Sequence, residues 1–356
     1  AGLAGHAQTG GGRDTGQPFV THYLPNTYGG STQVFSISQD SRGVLYFGLG
    51  SGLIEFDGVS TRGIPTPGNT IVRTMTTDPT QRVYVGTVDD FGYLAPNAAG
   101  EMKYVSLIEF VPKEERGFQD VYSMRWTPAG LFIQAPERLI RLIPEEEPTV
   151  EHAPRKWRVK VWRPTSRLGG LSYAFGSVYL LQLGKGLLWV TGDSLELAPG
   201  GAEFSADRAV RVEEFSGKSM SDGQALVFRR GRGFFLLSRG VLKPFPTEAD
   251  GLMDRFGVSQ LSILRDGTLG LALSTGGFLN LDREGHVIVY LDRASGSLPS
   301  DGALSVFTGR DGVVWLGMQK GMAKSETPSA FSRFGEAAGL SGFVNDMVRH
   351  RGVLYA

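Results

Sequence analysis

The sequence contains no cysteine, which removes disulfides, thiolate metal ligands and a cysteine nucleophile, although it does not separate one oxidising or reducing compartment from another. Charge of one sign is missing as well. Thirty-six Lys+Arg stand against 36 Asp+Glu, so there is no whole-molecule field to hold a phosphate backbone or an anionic membrane, and nucleic acid is not an expected partner. No apolar run approaches the roughly 18 residues of a membrane helix, so a membrane attachment is expected only through segments outside the chain. Helix signals are scarce. Breaker-free candidates such as residues 247–255 are shorter than the roughly 12 residues that a persuasive helix needs. The histidines, His6, His22, His152, His286 and His350, form no close pair, and neither a metal nor another cofactor is expected.

What is abundant is glycine: 50 of 356 residues, about twice the usual share near 7 %. There is no Gly-X-Y period and 41 % of the residues are apolar, which describes a turn-rich chain able to bury a core. It opens on Ala1 and a Gly/Ala/Thr-rich lead through residue 16, which suits a mature end left after removal of a signal peptide and so export. An internal repeat then overrides any count of domains from length. Gly43-Val44-Leu45-Tyr46-Phe47-Gly48 aligns with Gly312-Val313-Val314-Trp315-Leu316-Gly317, and Gly52-Leu53 with Gly321-Met322. The block recurs around Tyr84, Phe132, Tyr179, Phe235, Gly270 and Tyr355, at a mean spacing of about 44 residues.

A unit of that size holds four short strands, their hairpins and one crossing loop, the content of a propeller blade. In the first unit residues 34–38, 45–48 and 53–57 read as strands separated by the turns 40–43 and 50–52, with an outer strand after Gly58. In the seventh the strands are 304–307, 313–317, 322–324 and 331–334, and the Asp311-Gly312 pair suits a tight hairpin turn. Blades closed into a ring bury their faces against one another, so Tyr46, Tyr84, Phe132, Tyr179 and Trp315 are expected as core. The reading is an all-β, seven-bladed propeller of four-stranded blades over residues 19–343. It is preceded by a flexible lead, 1–18, and followed by 344–356 as the first strands of a further, truncated repeat. Residues 19–23 match 331–334 as an outer strand.

The same residues carry a family resemblance. Asp40 through Gly48 followed by Gly52 through Gly58, and again Arg310 through Lys324, resemble the two-component regulator propeller repeat. The resemblance is strong in units one, two, six, seven and the truncated eighth, and weaker in units three to five. It implies the periplasmic sensor region of an inner-membrane bacterial receptor whose output is a histidine kinase, a diguanylate cyclase or a similar module. The implied partners are a small molecule or glycan and a second receptor copy in a homodimer.

Enzyme motifs fail on spacing. Gly217-Lys218-Ser219 imitates the end of a phosphate loop, but Val212 stands where the leading glycine belongs, and no G-x-S-x-G elbow exists. The turns 40–43 and 311–312 lack the sialidase box. A charge run, Glu145 to Glu147 ahead of Arg155, reads as a solvated loop, and Arg158, Lys160 and Arg163 as the wet face of an outer strand. A binding module without catalysis is therefore the expected function, with a propeller enzyme such as a polysaccharide lyase or glycan hydrolase as the alternative. Ligands are expected where the crossing loops and the loops between second and third strands converge on the channel. Those loops carry Asp89, Asp90, Gln119, Asp120, Arg167, Arg255, Gln319 and Lys320.

Overall fold

The structure, a computed structural model, describes residues 16–146, 155–216, 223–327, 333, 344–350 and 353–355. Alternating apolar residues and glycine turns place 28 strands in seven four-stranded antiparallel sheets arranged as a ring. Blade 1 comprises Val34–Gln39, Leu45–Leu49, Gly52–Phe56 and Thr61–Ile64 from the inside outwards. The inner strands of blades 2 to 7 are Thr74–Thr77, Ser123–Thr127, Leu168–Ala174, Val210–Ser216, Val258–Ile263 and Ala303–Thr308. The 7-residue helix Asp250–Phe256 leads from blade 5 to blade 6, overlapping the short helix candidate 247–255 and ending one residue beyond it.

The aromatic of the repeat is core in every blade that carries it: Tyr46, Tyr84 and Phe132 are fully buried, and Tyr179 and Trp315 nearly so. Burying a tyrosine requires a partner for its hydroxyl. Tyr46 donates to Asp40 Oδ2 at 2.9 Å, while Asp40 Oδ1 accepts the backbone N–H groups of Arg42 at 2.9 Å and Val44 at 3.1 Å. Asp78 does the same for Thr80, Arg82 and Tyr84 in blade 2. The aspartate of the repeat thus ties the first hairpin turn to the second strand.

The glycine that ends the block lets the next blade come close. A Cβ on Gly48 would lie 2.5 Å from the carbonyl oxygen of Val72, on the chain entering blade 2, and one on Gly317 would lie 2.5 Å from that of Val34 in blade 1. Opposite these glycines, Ser36 and Ser305 donate to the same two carbonyls at 3.0 and 3.4 Å.

Two expectations are corrected. The outer strand of blade 7 is Val20–Tyr23, paired from Val20↔Ser325 to Tyr23↔Met322, and not residues 331–334. Of the latter only Arg333 is described, and it bridges Gln17 beside that strand. Both segments have the same aromatic alternation. The N-terminal one takes the place because Tyr23 packs on Trp315 of its own blade and Phe56 of blade 1, at centroid distances of 5.6 and 5.4 Å, sealing the ring. In blade 5 the second strand is Gln224–Arg229, and Phe235 lies on the third, Gly233–Ser238. Both strands are apolar and aromatic, so the pattern does not tell them apart.

Trp157–Trp162 is the outer strand of blade 3, as its alternation indicates. Near the C-terminus Val348–His350 and Val353–Tyr355 form a hairpin of their own. The phosphate-loop imitation at 217–219, His6, His152 and Glu147 lie outside the described residues.

Candidate functional site at the channel mouth

Each blade sends its inner strand away from one face of the ring and returns its second strand to it. Crossing loops and second-to-third-strand loops therefore meet on that face, joined by backbone hydrogen bonds such as Gly52 N–H to Thr70 O, Leu183 N–H to Arg167 O and Gly321 N–H to Thr32 O. The same face holds a cleft of about 440 Å³ over the third and outer strands of blade 1, lined by residues that include Ser51, Ile54, Gly63 and Asn69.

Three of the sequence-derived candidates come together beside blade 2. Asp89 and Gln119 both have left-handed backbone conformations, with φ of 57° and 68°. Each is held by the other: Asp89 N–H donates to Gln119 O at 2.9 Å, and Gln119 N–H donates to Asp89 Oδ1 at 2.5 Å. Asp120 is bridged to Val88 and accepts from Arg73 Nε at 3.3 Å.

Arg167 joins the same group through a residue that the sequence reading did not select. Its Nη2 donates to the Tyr122 hydroxyl at 3.2 Å, and its guanidinium carbon lies over the Tyr122 ring at 5.8 Å. Arg73 stands over the same ring at 5.6 Å and over Phe35 at 5.4 Å. Phe35, Arg73 and Tyr122 occupy one register position, next to Ser36, Thr74 and Ser123, which pair with Gly48, Gly86 and Gln134 of their second strands. The repeat carried this signal on its inner strand, whereas the alignment followed the aromatic of the second.

Asp90 does not share this surface. Its carboxylate is buried, accepts from Ser106 Oγ at 2.7 Å, and is pushed above the usual carboxylate range by burial. Arg255 lies on the helix, over the Phe256 ring. Gln319 donates to Ser274 O at 3.2 Å, and Lys320 is exposed beside it. Among the described residues no hydrogen bond or ion pair joins these three to the group around Tyr122.

Behind the mouth the channel carries charge. Arg125 of blade 3 and Glu213 of blade 5 approach to 3.8 Å past the intervening inner strand of blade 4. Gly170 on that strand makes room for Arg211 of blade 5, whose Nη1 would lie 2.0 Å from a Cβ there. Burial pushes Glu213 up and Arg211 down from their ordinary values. No group of metal-binding side chains is found at the mouth among the described residues.

No protein-family model matches the sequence, and no curated protein does. The fold, in contrast, is widely shared. The extracellular domain of a proposed one-component system from B. thetaiotaomicron superposes with a TM-score of 0.63 at 17 % identity, over 87 % of this chain and 40 % of that one. The extracellular domain of a proposed hybrid two-component system of the same organism gives 0.62 at 16 %, over 86 % and 42 %. The chain thus spans about two fifths of the length of these sensors. A catalytically inactive histidine-to-alanine variant of virginiamycin B lyase from Staphylococcus aureus gives 0.57 at 10 %, over 86 % of this chain and 98 % of the lyase. These likenesses establish a seven-bladed β-propeller.

Proposed function

We propose that this chain is a ligand-sensing propeller from the extracytoplasmic, periplasmic part of a bacterial signalling receptor, which binds a small molecule or glycan at its mouth and does not transform it. The observation that carries the reading is the convergence of Phe35, Arg73, Tyr122 and Arg167, from blades 1 to 4, on one rim of the channel. Polar and aromatic groups from several blades around a concavity suit recognition, whereas turnover needs an acid and a base poised on one reacting atom. The likeness to sensor domains supports the same assignment.

The lyase likeness favours a second reading, but that enzyme is inactive when one histidine is replaced by alanine. The described histidines here lie elsewhere: His22 on the closing strand bonded to Ser297 O, His286 on Asp282, and His350 in the C-terminal hairpin. In the sensing reading, which we propose, ligand contacts bias how two receptor copies pack as a homodimer, with no cofactor, and the C-terminal hairpin opens a further repeat.

The test is the Arg167→Ala substitution in the intact receptor. Loss of the ligand-dependent output with unchanged circular dichroism supports sensing at the mouth. An unchanged response, or consumption of virginiamycin B or a polysaccharide by the isolated chain, overturns it.

A further inference from the structure

Resting on the reading of the mouth as a ligand site, we infer that its ligand carries an oxyanion, a carboxylate, sulfate or phosphate group, taken up by the guanidinium edges of Arg73 and Arg167. The two arginines are held in place by aromatic rings. Phe35, Arg73, Tyr122 and Arg167 form a ladder in which each guanidinium carbon lies 5.4 to 5.8 Å from a ring centroid. A cation held over a ring keeps its hydrogen-bond donors at the edge, in a planar fork that matches the oxygens of an oxyanion.

Among the described residues the donors are largely unspent. Each guanidinium has five N–H groups. Arg73 uses Nε on Asp120 at 3.3 Å, and Arg167 uses Nη2 on Tyr122. The Arg73 side chain is 33 % exposed and Asp120 24 %, so their single contact is a weak, solvated pair that an incoming anion can join or replace.

The carboxylates nearby leave the site open. Asp89 has Oδ1 engaged on the Gln119 amide, and among the described residues Asp120 meets Arg73 at Nε. Behind them Arg125 stands 3.8 Å from Glu213, so that channel pair is already matched and does not compete for the rim arginines.

The experiment is calorimetric titration of this chain with four probes: trigalacturonate for a carboxylate, a 4-sulfated chondroitin disaccharide for a sulfate, inorganic phosphate, and neutral galactotriose as the control. At least one anionic probe is expected to bind about tenfold or more tighter than galactotriose, and to weaken as sodium chloride is raised. Arg73→Ala and Arg167→Ala are each expected to remove about tenfold or more of that affinity, and Arg167→Lys to restore part of it, since lysine keeps the charge and loses the fork. Tyr122→Phe keeps the ring and is expected to be mild, whereas Tyr122→Ala frees both arginines and is expected to resemble their loss.

Equal affinity for galactotriose, or binding untouched by Arg73→Ala and Arg167→Ala, overturns the oxyanion inference and leaves sensing intact. Failure of all three anions also overturns it. The sensing reading itself falls separately, through an intact receptor whose output ignores Arg167→Ala.

Discussion

Gly48 shows how a single hydrogen atom sets the spacing of two blades. A methyl group there would meet Ser36 Oγ at 2.3 Å and the backbone of Val72 at 2.5 Å, and the second of these cannot rotate away. Gly48→Ala is therefore expected to destabilise the propeller by about 1–3 kcal/mol, the usual penalty for overpacking, as measured by urea unfolding. An unchanged midpoint would mean that the blades can shift apart freely. Asp90 supplies a second prediction. Because burial raises its pKa, the folded chain holds that proton more tightly than the unfolded chain. The associated stability is complete below the ordinary carboxylate value and is lost as pH rises through the raised one. Asp90→Asn, which keeps an acceptor for Ser106, should flatten this fall, so that variant and parent converge in acid and separate towards neutrality. Equal slopes would refute the assignment. The aromatic positions of blades 1 to 4 and 7 were legible from the sequence because burial recurs there at one place of the unit. Asp90 and Asp89 were not distinguishable, since adjacent residues in a turn diverge by a backbone rotation that composition does not record.

Among the elements, Val20–Tyr23 has the greatest leverage. It completes blade 7 with four paired residues, and its Tyr23 fills the space between Trp315 and Phe56. Removing residues 16–23 exposes the third strand of blade 7 as an edge, and the expected outcome is a lower melting temperature together with self-association in size-exclusion chromatography. A truncated chain that stays monomeric and melts at the parental temperature would contradict this role. The sequence identified both this segment and 331–334 as outer strands, yet gave no reason to prefer one, because ring closure is a contact between chain ends. Blade 5 was misread for a related reason: Ala225 to Phe228 and Phe234 to Leu237 are interchangeable as patterns, and only pairing to the inner strand separates them.

At the scale of the molecule, closure turns an array of repeats into one cooperative object. Open repeat proteins lose units from their ends, whereas a ring has none to lose until one sheet opens. Thermal unfolding is accordingly expected as a single transition, coincident by far-ultraviolet circular dichroism and tryptophan fluorescence. Two separated transitions would show that the blades melt independently. The spectrum should be that of a β protein, in line with 51 % strand and 8 % helix. The mouth was legible only as a direction. Its loops followed from the repeat, but the meeting of Arg73 and Arg167 over Tyr122 depends on ring curvature, which no linear spacing encodes.

The pairing of Val20–Tyr23 with Met322–Ser325 also sets a clock. During synthesis the first strand leaves the ribosome some 300 residues before its partner, at a separation read directly from Val20↔Ser325. At the roughly 5–20 residues per second of elongation, it waits about 15 to 60 seconds unpaired. Such a long loop makes the final contact slow, and the interval leaves the chain threadable. A secretion machine that accepts only unfolded polypeptide would find that window open for as long as the ring is incomplete.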